Sequence, residues 1–163
     1  MAKSLRQLRH KARILAMQAL FQYDARHDEK PDLAQLTSFN WMDYAVPEEE
    51  RAYARLIIHA AFNHLAEIDE IIKDRLVNWE FARISPVSRA ILRIAVTELR
   101  FMPEGAEPAV IIDEAILMAK QYDSAETTSF VNGLLDDVRR AITEPAATST
   151  PKLSQKIKIK KKR

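Results

Sequence analysis

The chain has 163 residues, 47% of them hydrophobic, which is enough for one ordinary core or two small lobes sharing an interface and too few for two full domains. Two glycines leave little for tight hairpins, the absence of cysteine excludes disulfides and thiolate chemistry, and no apolar run long enough for a signal peptide or membrane span occurs, so an all-α, cytoplasmic protein is expected. The formal net charge of +2 hides cationic ends: the first thirteen residues hold five Lys or Arg and the last twelve hold seven, with no acid in either, while residues 14–151 hold thirteen basic against twenty-three acidic residues, a balance of −10.

The first predicted helix runs from Ser4, a suitable N-cap, to Arg26, roughly 33 Å at 1.5 Å per residue. Lys3, Arg6, Arg9, His10 and Arg13 fall within about 120° of one another on it. Leu5, Leu8, Ala12, Leu15, Ala16, Ala19 and Tyr23 occupy a neighbouring arc. A merely solvated helix face interleaves Glu with Lys or Arg at i,i+4, and this segment has no such pair, so the pattern points to a polyanion-binding helix.

A short helix is expected over residues 31–36, followed by the apolar anchors Phe39, Trp41, Met42 and Tyr44. Pro47 with Glu48, Glu49 and Glu50 marks the next start, because carboxylates suit the positive end of a helix. Helical spacing continues to Leu76 with a bend near Asn63. Ser85 and Pro86 stand in N-cap and first-turn order for a helix to Phe101, Pro103 and Gly105 stop it, and Pro108 opens the next. Asp123 or Ser124 caps the last helix, in which Gly133, unfavourable by roughly 1 kcal/mol against alanine, is expected to permit close packing. Beyond residue 142 the composition turns to Pro, Ala, Thr and Ser and then to lysine, so residues 1–142 are expected to form the domain and residues 143–163 a disordered tail.

No chemistry of catalysis is legible. His59 and His64 lie five apart, about 140° around a helix, which is not the i,i+4 pair of a zinc site, and no phosphate loop or nucleophile elbow is present. Glu67 and Asp74 read as solvated carboxylates, and neither an enzyme activity, a metal nor a cofactor is expected.

Four segments together resemble the NusB family of bacterial transcription antitermination factors: Arg9-His10-Lys11-Ala12-Arg13 with Ala16, Gln18, Ala19, Leu20 and Phe21; Asn78-Trp79 and Arg83-Ile84 through Arg89, Ile91, Leu92, Arg93 and Glu98-Leu99; Ile112-Asp113-Glu114-Ala115 with Ala119-Lys120; and Phe130-Val131-Asn132-Gly133-Leu134-Leu135. The resemblance implies about seven helices in two small packed bundles. It also implies joint binding of boxA RNA with the ribosomal protein NusE, within an RNA polymerase antitermination complex on ribosomal RNA operons. The chain departs from the family pattern at His10 and Lys11, where arginine is favoured, at Asp113 in place of Asn, at Phe21 where Tyr is common, and in its lysine-rich tail.

Carried onto this sequence, the resemblance implies that Arg9, Lys11 and Arg13 meet RNA phosphates beside a base-stacking edge at Phe130, with Lys120 and Glu126 near it; Arg6 and His10 on the same face are further RNA-binding candidates. Periodicity alone favours a core position for Phe130, and the resemblance brings the stacking role level with it. Phe21, Ser88 and Arg93 are the positions expected to face NusE, with an intramolecular acidic partner as the competing role for Arg93. Trp79 is expected to plug the junction between lobes, and Asn132 to hold neighbouring backbone. Family members occur both as homodimers and as monomers that pair with NusE, and composition does not choose between them. A helical protein adaptor without specific RNA binding is the alternative reading.

Overall fold

Local signals in the sequence set where the helices begin. In the computed structural model, which describes residues 2–27 and 30–143, the helices are α1 (Leu5–Arg26), α2 (Leu33–Leu36), α3 (Glu48–Asn63), α4 (Leu65–Asp74), α5 (Pro86–Phe101), α6 (Pro108–Tyr122) and α7 (Ala125–Thr143), with a 3₁₀ turn at Phe81–Arg83. Ser4 closes a capping box with Gln7, Asp32 caps α2, and Ser85 caps α5 with Pro86 in its first turn. The Ser124 hydroxyl accepts the Thr127 amide at 3.2 Å and so caps α7.

Helix α5 is the axis of the molecule. Residues 90–99 are all buried, so this helix is covered on every side rather than amphipathic. Helices α1, α3 and α4 pack against it as one lobe, and α6 and α7 as the other. The chain turns between α3 and α4 at His64, whose ring stacks on Phe101 at 4.0 Å and 7° and so fastens the bend to the end of α5. Tyr23 meets Phe62 edge-on at 5.0 Å, joining α1 to α3.

Three expectations are corrected. Leu5, placed by periodicity on the apolar arc of α1, is 63% exposed, because the first turn of α1 projects past the core. Trp79 is 56% exposed at the tip of the α4–α5 connection and plugs no junction. Gly133 lies on the outer face of α7, where an added Cβ would meet nothing within 4 Å, so close packing is not its reason. The lysine-rich tail lies outside the described residues, and α7 runs one residue past the expected domain limit.

Candidate nucleic-acid interface

The cations of α1 divide into an outer and an inner set. Arg6 is the most open, its side chain 74% exposed and its Nε 3.5 Å from Glu114 Oε1; Lys11 is also exposed. Lys3 pairs with the buried Glu50 at the start of α3. Arg9 is half-buried: its Nη1 donates to the Gly105 carbonyl at 2.6 Å, and its guanidinium lies over the Tyr53 ring, 4.8 Å from the centroid. The Arg9 Nε is buried with no hydrogen-bond partner. Arg6 and Arg9, with Arg13, border a groove of about 480 Å³ whose other walls include Leu5, Glu104, Gly105, Glu107, Pro108 and Val110; Lys3 and Lys11 lie outside it.

His10 and Arg13 look inward. His10 Nδ1 stands 2.6 Å from Oε2 of Glu114, a buried α6 carboxylate. Arg13 is 1% exposed and makes a two-pronged pair with Glu98 of α5, Nε to Oε2 at 2.7 Å and Nη2 to Oε1 at 2.9 Å. The Tyr53 hydroxyl donates to the same Oε1 at 2.6 Å. Burial alone lowers the Arg13 pKa, but its hydrogen bonds and charge interaction with Glu98 outweigh this and hold it above its ordinary value. Burial pushes the Tyr53 phenol up, and the Glu98 charge adds to it, to about 12. The expectation that Arg13 meets phosphate is therefore corrected: its donors belong to Glu98, and its role is to tie α1 to α5.

The residues expected to face NusE also separate. Phe21 is 40% exposed on α1 and is available to a partner. Arg93 is not: it is 5% exposed, forks onto Asp69 at 2.8 and 2.9 Å and reaches Asp24 at 2.9 Å, so the intramolecular role holds. Burial works against its charge, and Asp69 and then Asp24 reverse the shift, leaving its pKa raised. Ser88 is 2% exposed and donates to Asp123 Oδ2 at 2.7 Å, sharing that oxygen with the Ser85 hydroxyl at 2.6 Å. Both buried side chains are satisfied within the chain, so neither offers a contact at the surface.

Phe130 combines the two roles open to it: partly buried against the core, it still lines a pocket with Trp79, whose ring centroid is 6.0 Å away. Glu126 borders the same pocket from the first turn of α7; Lys120 is exposed near the C-terminal end of α6, and Asn132 is exposed. The basic groove and this pocket are not neighbours. Arg9 meets Gly105 just beyond the C-terminus of α5, whereas the pocket includes Ser85 and Ser88 at its N-terminus, and the intervening 16-residue helix is about 24 Å long.

Residues 10–140 match the model of the NusB family. This chain belongs to the NusB family. A transcription antitermination protein NusB from Leptospira biflexa is 38% identical over 128 residues, covering 78% of this chain and 89% of its own length. That of Treponema pallidum is 36% identical over 135 residues, covering 82% and 93%. Among solved structures, T. maritima NusB superposes with a TM-score of 0.73 at 31% identity, covering 94% of this chain and 99% of its own. A NusB described in complex with NusE and double-stranded RNA gives 0.70 at 27%, covering 83% and 98%. The two-lobed all-α fold expected from the sequence is thus the family's fold. Among the described residues no helix is long and apolar enough to cross a membrane.

Proposed function

We propose that this chain is a transcription antitermination factor that binds boxA-type single-stranded RNA of ribosomal transcripts in the cytoplasm together with NusE, and so joins RNA polymerase complexes. The observation that carries the reading is the basic groove at the start of α1 in a chain of this family. Arg6 on the groove and Lys11 elsewhere on α1 are open to solvent, and Arg9 lines the groove with its Nη1 held by the Gly105 carbonyl. Relatives described as antitermination proteins, one of them described in complex with NusE and RNA, support the same reading. Arg6, Arg9 and Lys11 are the phosphate contacts in this proposal, with His10 held back by Glu114. Lys120, Glu126 and Phe130 act at the far end of α5, and Phe21 faces NusE.

A binding titration with boxA RNA and a scrambled strand, with and without NusE and at several salt concentrations, tests it. Preferential binding of boxA that strengthens with NusE is expected, and Arg6→Ala and Lys11→Ala are each expected to reduce the salt slope by about 0.7, the share of one single-strand phosphate contact. Equal binding of both strands, unmoved by either substitution, overturns it in favour of an adaptor without specific RNA recognition.

A further inference from the structure

Helices α4 and α7 both pack on α5 but scarcely on each other, so the seam between the two lobes stays open along them. A groove of about 640 Å³ occupies that seam. Its apolar lining includes Ile71 of α4 with Val138, Ala141 and Ile142 of α7, and Ile142, in the last turn of α7, is 36% exposed. The volume falls within the roughly 300–1,000 Å³ of sites that take a drug-sized ligand, which is room for several side chains at once. The charged groups sit at the rim. Glu67 and Glu70 on α4 have side chains 68% and 67% exposed, and their contacts, His64 at 3.4 Å and Lys73 at 3.6 Å, are surface pairs that an incoming cation replaces at little cost. Arg75 and Arg100 stand on the remaining walls, so only the edge with Glu67 and Glu70 attracts a cation.

We infer that this groove is the docking site of the chain's own basic segment, residues 152–163. Helix α7 ends at Thr143, one residue past Ile142 of the groove, and the twenty residues that continue from it lie outside the described residues. The eight residues 144–151 can span at most about 26 to 29 Å, whereas Glu67 and Arg75 are roughly 12 Å apart along α4. The segment therefore reaches the whole groove from the point where α7 ends. Its side chains also match. Leu153, Ile157 and Ile159 are apolar, Lys156, Lys158 and Lys160 alternate with the isoleucines, and the segment has no acid. In an extended stretch Ile157 and Ile159 share one side and these lysines the other, so the isoleucines enter against Ile71 and Ile142 while the long lysine stems reach over the rim to Glu67 and Glu70. Long-range charge acts in the same direction, with seven cations in the segment against −10 over residues 14–151. The short tether holds the segment at a roughly millimolar effective concentration, so a contact too weak to retain a separate peptide is populated within the chain.

The inference goes beyond the RNA-binding reading and does not rest on it. It adds one consequence: RNA phosphates and the carboxylates of α4 compete for the same lysines, so the segment lends RNA only the affinity left after the dock is broken.

The chain has no cysteine, so a nitroxide on Ser154→Cys of the full-length protein is its only label, and broadening of backbone amide signals in the absence of RNA maps where the segment lies. Signals of α4 around Glu67 to Ile71 and of the last turn of α7 are expected to broaden, and those of the first turns of α1 to stay sharp. Two independent pairs of changes, Glu67→Lys with Glu70→Lys and Ile157→Ser with Ile159→Ser, are each expected to restore the α4 signals; the spectrum of each variant without the nitroxide shows that it is folded. Broadening confined to the end of α7, next to the junction, overturns the dock. So does broadening of α4 that survives both pairs of changes. A mixture of nitroxide-bearing chain with isotope-enriched, label-free chain is expected to leave α4 sharp, and broadening there would make a second copy's segment the occupant and overturn docking within one chain.

Discussion

Arg13 and Arg6 are the same residue type seven positions apart on one helix, and their surroundings give them opposite roles. Removing Arg13 leaves Glu98 buried with only the Tyr53 hydroxyl, so Arg13→Met is expected to cost about 3 to 5 kcal/mol, read as a fall in denaturation midpoint, with the RNA salt slope of the folded fraction unchanged. Tyr53→Phe removes one hydrogen bond to that carboxylate and keeps the ring beneath Arg9; a loss of about 1 to 3 kcal/mol of stability with RNA affinity retained is expected. A drop in RNA affinity for Tyr53→Phe as large as for Arg9→Ala would show that the hydroxyl acts on the groove itself. The charge on α1 is legible in the sequence, and its fate is not. The acids that answer Arg13 and His10 lie 85 and 104 residues away, so a search for i,i+4 partners along the helix does not find them.

Helix starts are legible because caps act within one turn: Ser4, Ser85-Pro86, Pro108 and Ser124 all stand where the structure begins a helix. What a helix faces depends on distant packing, which is why local pattern places Gly133 and Trp79 in interiors they do not occupy. Gly133→Ala is expected to stabilise α7 by about 1 kcal/mol, a rise in melting temperature of about 2 to 4 °C, since the new methyl group enters open space. The start of α7 carries a pH dependence as well. Burial raises the Asp123 pKa, but the Ser85 and Ser88 hydroxyls, the Ser124 amide and the Thr127 hydroxyl outweigh it and hold the carboxyl below the usual range. A carboxylate depressed on folding stabilises the fold fully above its unfolded pKa of about 3.9 and ceases to do so as pH falls through the folded value. The melting temperature of Asp123→Ala is therefore expected to lie below wild type by a constant margin at neutral pH, and the part of that margin due to charge is expected to vanish in acid. A margin that widens on acidification would contradict the assignment.

Across the whole molecule the acidic body and the cationic ends set how a polyanion approaches. The groove at the start of α1 and the Trp79–Phe130 pocket flank opposite ends of α5, so a strand that engages both spans about 24 Å of surface and needs several extended nucleotides. Residues 14–151 carry −10, and this field opposes a polyanion everywhere except at the cationic patches. The seven basic residues of residues 152–163 act against that field in a sequence-independent way, because a lysine run has no geometry with which to read base edges. Deleting them leaves eighteen basic against twenty-three acidic residues and turns the net charge from +2 to −5. Binding of boxA and of a scrambled strand is then expected to weaken by the same factor at low salt, and the slope of log K against log[salt] to flatten by about 0.7 for each phosphate that the tail no longer neutralises. The ratio of the two affinities, which depends on base contacts alone, is expected to stay constant. A deletion that abolished boxA binding and spared the scrambled strand would mean that the tail takes part in recognition, and would overturn this division between charge at the ends and stacking at the rim of α5.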